Sequence, residues 1–143
     1  MNGVPGVVLA VDVGTVRVGV AASDPRRVLA SPVETVQAPG HRRVVELVAE
    51  REAVLVIVGL PTSLSGASRS ASADMARRWA ATLEPLIAPV EVRLVDERLT
   101  TVSATAALRA SGRTARQSRS VVDQAAAVAL LQGVLDTGPG RST

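Results

Sequence analysis

Four acidic residues stand where the surrounding pattern asks for something apolar. Asp12 lies inside VVLAVDV (Val7–Val13), Asp96 and Glu97 close the run VEVRLV, and Asp123 sits in VVDQAAAVALLQ, the most hydrophobic helical stretch. An ionised carboxylate in a buried strand costs several kcal/mol, on the order of a lost polar pairing or more, unless something positive or hydrogen-bonding meets it. Three carboxylates gathered from two strand ends and a helix start would also repel one another. They become tolerable around Mg²⁺ or Mn²⁺, hard cations that prefer oxygen ligands. Two such ions about 3.5–4 Å apart can activate a water and stabilise the leaving oxygen of a phosphodiester. That chemistry needs no Lys, Cys or His, and this chain has no Lys, no Cys and one histidine, His41, expected at a surface helix start.

Each acid also has an ordinary structural reading. If Gly14-Thr15 is a two-residue hairpin turn, Val13 pairs with Val16 and Asp12 with Arg17, with the small Ala10 and Gly19 next on that face. Such a cross-strand ion pair contributes roughly 0.2–1 kcal/mol. Asp96 or Glu97 can simply mark where a strand meets water, although ligand sites of open α/β sheets do lie at strand carboxyl ends. Asp123 follows Ser120 by three residues, a capping-box spacing in which the helix dipole favours the negative charge. The acids alone leave both readings open.

The rest of the composition narrows the partners. All 16 basic residues are Arg, and the net charge is +3. Arg98, Arg109, Arg113, Arg116 and Arg119 fall in a segment without an acid, a pattern suited to a polyanion or to a solvated basic loop. With one Trp and no Tyr or Phe there is little for bases to stack on, so a nucleic acid would be held by its backbone. The core must come from Val, Leu, Ala and Ile, in a chain whose 143 residues suit one domain. The absence of Cys excludes disulfide and thiolate-metal scaffolds. No apolar run reaches the roughly 20 residues of a membrane span, and MNGVPG lacks a basic lead and a cleavage motif, so a cytoplasmic location is expected.

These residues need a frame to bring them together. Strands are expected at about Val7–Val13, Val16–Ala22 and Val28–Val36, the last placed at an edge by Pro32. A helix follows at about His41–Glu52, then a buried strand Ala53–Val58, a helix Arg69–Leu83 stopping before Pro85, and a strand Val90–Val95. Helices at Thr101–Ala110 and Val121–Leu135 flank a Gly-, Arg- and Ser-rich stretch, Ser111–Ser118, expected to be mobile. The tail from Thr137 is expected to be disordered. This order predicts an α/β fold: a mixed five-stranded sheet, made of an antiparallel three-strand meander plus two parallel strands, with helices on both faces.

VDVGTVRVGVA, GLPTSLSG, DERLTT and VVDQAAAVALLQ, in this order and spacing, resemble the YqgF/RuvX family of the RNase H-like (Holliday-junction resolvase-like) superfamily. The likeness covers about Val7 to Asp136. It implies an RNase H-like fold and a metal-dependent nuclease, assigned in the family to maturation of precursor small-subunit ribosomal RNA, with cleavage of branched DNA junctions as a related proposal. On the matching positions, Asp12, Glu97 and Asp123 would be the catalytic acids, holding two Mg²⁺ or Mn²⁺ ions. Arg17 and Arg98 match its flanking basic positions and would contact phosphates; on charge rather than on this likeness, Arg113, Arg116 and Arg119 would lie along the substrate backbone. The partner would be structured RNA or branched DNA, with no membrane, and the chain a monomer or weak homodimer. The likeness also gives Gly14, Gly19, Gly59, Pro61 and Gly66 the shaping of the loops. In the wider superfamily a second acid ends the strand beside the first, where this chain has Gly59-Leu60-Pro61. The DER acid comes from one strand further out, roughly 10 Å from the first strand at about 4.8 Å per strand. Glu97 is long enough to lean inward, and Asp96 is the fallback ligand.

Two other readings compete. D-x-G-T opening a meander also resembles the phosphate loop of sugar-kinase and actin-like ATPases, which close two such domains on a nucleotide, whereas this chain has room for one. A catalytically silent module binding RNA or a protein is the other, set against the three acids and the basic 109–119 segment.

Overall fold

In the computed structural model, the described residues are 6–61, 66–97 and 115–137, with helix side chains described from 71 and from 124 onward. The central strand is β1 (Val7–Val13), whose β-branched run is buried through most of its length. β2 (Arg17–Ser23) and β3 (Ala30–Gln37) complete the meander. α1 (His41–Glu50), β4 (Ala53–Leu60), α2 (Gly66–Ile87), β5 (Glu91–Asp96) and α3 (Ala115–Thr137) follow. The sheet order is β3-β2-β1-β4-β5, antiparallel through the meander and parallel from β1 to β4 to β5. The mixed five-stranded architecture, and the edge position of the Pro32 strand, agree with the sequence expectation.

Strand alternation divides the sheet into two faces. Leu9, Val11, Val18, Val20, Val56 and Val58 face α1 and α2, where Leu47, Trp79 and Leu83 are buried. Val8, Ala10, Ala21, Leu55 and Ile57 face α3, which seats Ala127, Leu130, Leu131 and Val134 on them. Those α3 residues fall at helical spacing, and burying each of the leucines contributes roughly 2 kcal/mol. The small Ala10 and Ala21 let the helix lie close to the middle of the sheet.

Several boundaries differ from the sequence reading, for local reasons. The β1–β2 turn is longer than Gly14-Thr15: the last pairs are Val13↔Val18 and Asp12↔Gly19. Arg17 pairs outward with Gln37, and the Val16 carbonyl accepts a hydrogen bond from Ala38 N–H at 2.9 Å, so this end of β2 is drawn to β3. The turn is tight enough that a Cβ on Gly14 would stand 2.6 Å from the Arg17 carbonyl oxygen. α2 starts earlier and runs through Pro85, because the lost N–H falls in its last turn while Leu83 and Ile87 remain buried.

α3 begins at Ala115 rather than Val121, so 115–118 are helical. Ser120 is therefore inside the helix, and Asp123 is no first-turn cap. The capping-box reading is corrected: the helix continues through residues 115–120, so the local start signal at Ser120 does not begin it. The helix expected at Thr101–Ala110, residues 111–114 of the stretch expected to be mobile, and the tail after Thr137 lie outside the described residues. Among the described residues no helix is long and apolar enough to cross a membrane.

Candidate active site

Asp12 is the third residue of the series Val8, Ala10, Asp12, so alternation puts it on the α3 face, half-buried at the carboxyl end of β1. Directly across on β2 is Gly19, and across from Gly19 on β3 is Thr35. On the other side, β1 and β4 pair as far as Val11↔Val58. One step further along that register, Gly59 stands beside Asp12. The acid is thus flanked by glycine on both neighbouring strands, which keeps side chains off the sheet around it.

The space over Gly59 is taken by Glu97. A Cβ on Gly59 would lie 3.4 Å from Glu97 Cγ, 3.5 Å from Glu97 Oε1 and 3.1 Å from Leu130 Cδ2 of α3. Gly59 pairs with Val95, and Leu60 with Asp96. Val95 packs on the α3 side, so alternation sends Asp96 to the opposite face and returns Glu97 to the face of Asp12. Removal from water, together with the neighbouring Asp96 charge, pushes the Glu97 carboxyl above its usual range.

α3 completes the face. Gln124 Nε2 donates a hydrogen bond to Thr35 Oγ1 at 3.1 Å, which fixes the turn containing residues 123 and 124 against the row Thr35–Gly19–Asp12. Asp123 precedes Ala127 by four residues, the interval of the stripe that seats α3 on the sheet. Its side chain lies outside the described ones, as do those of Arg116 and Arg119 on the first turns of α3; Arg98 and Arg113 lie outside the described residues altogether. Among the described residues, no three His, Asp or Glu converge as a ready cation cluster.

Arg17 is not the cross-strand partner of Asp12; Gly19 is. Arg17 lies two residues before Gly19 and therefore on the same face, half-buried, as the diagonal neighbour of the acid. Sequence reading also missed the Thr35–Gln124 hydrogen bond. A polar residue at i+1 of Asp123 with a threonine on the edge strand was the available signal, but nothing local pairs them across 89 positions.

The model of the family described as "RuvX: Holliday junction resolvase" matches residues 6–137. The chain belongs to the RuvX family. A Streptomyces coelicolor relative named "Putative pre-16S rRNA nuclease" is 55% identical over 135 residues, covering 90% of this chain and 79% of that protein. A Mycobacterium leprae relative of the same name is 54% identical, covering 90% of this chain and 71% of its own length. In architecture the chain is similar to Thermus thermophilus RuvC solved in complex with a Holliday junction substrate. That likeness has a TM-score of 0.62, 15% identity, and coverage of 95% and 97% of the two chains. At that identity it bears on the fold, which is the RNase H-like arrangement expected.

Proposed function

We propose that this RuvX-family chain is a Mg²⁺- or Mn²⁺-dependent nuclease that hydrolyses phosphodiester bonds in precursor small-subunit ribosomal RNA in the cytoplasm. The observation that carries this reading is Glu97 folded over Gly59 onto the face and strand end that hold Asp12. The names of the relatives support the substrate class.

The donor set fits a hard cation: carboxylate oxygens only, one of them an acid whose burial and acidic neighbour make its charge costly without a positive partner. Asp12, Glu97 and Asp123 would hold one or two ions. When bound, they supply Lewis acidity that eases deprotonation of an attacking water and stabilises the leaving oxygen. The chain's own part is positional. Gly19 leaves the β2 side of Asp12 without a side chain, and Gly59 leaves room for Glu97 to lie on the β4 side. Thr35 and Gln124 hold α3 against the same row, and Arg17 offers positive charge on the same face. The arginines of 98–119 would grip the backbone, which carries affinity and little sequence information.

Cleavage of a precursor ribosomal RNA fragment, with and without Mg²⁺ or Mn²⁺, tests the reading. Asp12→Asn should lower the metal-dependent rate by about a hundredfold or more while leaving folding and RNA binding in place. Unchanged cleavage in Asp12→Asn would sink the assignment. RNA binding with no cleavage under any metal would leave a silent binding module. Preference for a four-way DNA junction over RNA would move the substrate to branched DNA.

A further inference from the structure

On the opposite face of the same strand end lies a cavity of about 340 Å³ that opens broadly to solvent. Its near wall is Val13-Gly14-Thr15, the residues that follow Asp12 directly. Its far walls are Ala38 and Pro39 from the β3–α1 connection, and Met75 and Trp79 from α2. The volume falls within the roughly 300–1,000 Å³ of small-molecule sites. The lining is largely apolar, with the Thr15 hydroxyl and the Gly14 backbone as the polar rim.

The wall is built in advance. Trp79 is 5% exposed, its indole N–H donates to the Pro39 carbonyl, and its ring stacks on His41 with centroids 4.4 Å apart. Val16, beside the rim at the tip of the turn, is 67% exposed. A mostly apolar occupant with a few polar edges fits this lining, and it would sit at the same end of β1 as Asp12, on the other face of the sheet.

We propose that this cavity is a nucleobase pocket: it takes one unstacked base of a single-stranded RNA whose backbone continues over the end of β1 to the face that holds Asp12. The inference rests on the nuclease reading above and adds to it a base-binding subsite formed by Thr15, Pro39, Met75 and Trp79. Single-stranded RNA is commonly read through bases splayed from the stack onto apolar or aromatic surfaces.

Trp79 is the only tryptophan, so its emission reports the pocket directly. The full chain is titrated, with Ca²⁺ present, against a short fluorescein-labelled single-stranded RNA and the same RNA made abasic throughout. Anisotropy follows binding, and Trp79 emission follows occupancy. The intact RNA should alter Trp79 emission, and the abasic strand should bind roughly tenfold more weakly without altering it. Ala38→Leu, which fills the cavity, should abolish the emission change and bring the intact RNA to the affinity of the abasic one. Equal affinity and equal emission change for both strands, or RNA binding with silent Trp79, would overturn the pocket. Loss of metal-dependent cleavage with the Trp79 response intact would overturn the nuclease reading alone. No RNA binding at all would overturn both.

Discussion

Glu97 occupies the place a side chain on Gly59 would need. The Glu97 Cγ is 3.4 Å, and its Oε1 3.5 Å, from where a Gly59 Cβ would stand. The strand next to β1 thus carries no acid of its own at this level and instead leaves a slot through which an acid from one strand further out reaches toward Asp12.

Gly59→Ala follows directly from that slot. The added methyl meets Leu130 Cδ2 at 3.1 Å and the Glu97 stem at 3.4 Å, so either α3 or Glu97 must shift. The expected cost in stability is about 1 kcal/mol. The expected loss of metal-dependent cleavage is larger, roughly tenfold or more, because displacing an acid proposed to hold the metal matters more to the site than to the core. Chemical denaturation and a cleavage time course on the same preparation check both parts.

Glu97 also makes stability pH-dependent in the metal-free protein. Its folded-state carboxyl titrates above its unfolded value, so the folded state holds a proton that the unfolded chain releases first. Stability contributed by this group is therefore full below the unfolded carboxylate range and falls as pH rises through the folded value. Glu97→Gln, measured in EDTA, should be more stable than the parent at neutral pH, and the advantage should shrink in acid. A constant difference across pH would mean that Glu97 ionises in the folded state as it does in water.

The Gln124–Thr35 hydrogen bond should act on turnover through the placement of α3. Gln124→Ala removes a half-buried bond of about 1 kcal/mol. It should lower kcat several-fold more than it raises KM, since the arginines proposed to grip phosphates are untouched. A change confined to KM would place this bond in substrate binding.

Leu131 is fully buried where α3 crosses the sheet. Leu131→Ala should cost about 3 kcal/mol, within the range for large-to-small core substitutions, and loosen the helix that carries Asp123. Hydrogen exchange of α3 amides, faster in the variant than in the parent, is the direct measurement.

Arg113→Ala combined with Arg116→Ala addresses the basic segment. If each grips one phosphate of single-stranded RNA, the slope of log K against log salt should flatten by roughly 1.4. An unchanged slope would take this segment off the binding surface.

The strands of the meander, the two parallel strands and the helices between them were legible from the sequence. Period-two and continuous apolar runs punctuated by Gly and Pro are local signals, and so was the oddity of an aspartate inside VVLAVDV. Pairing register was not. Arg17 reads as the partner of Asp12 until the pull of β3 on the end of β2 lengthens the turn and puts Gly19 there instead. The start of α3 was hidden because Ser120 gives a good local cap signal that the longer helix overrides. The choice between Asp96 and Glu97 as the acid facing Asp12 turns on alternation counted from Val95 and on a vacancy over Gly59, facts of a folded sheet in which residues far apart in sequence share one face. Sequence alone determined which residue types were available for the chemistry, whereas the tertiary structure decided which of them face the same side, because side-chain direction follows from strand register, and register is set by contacts the local sequence does not contain.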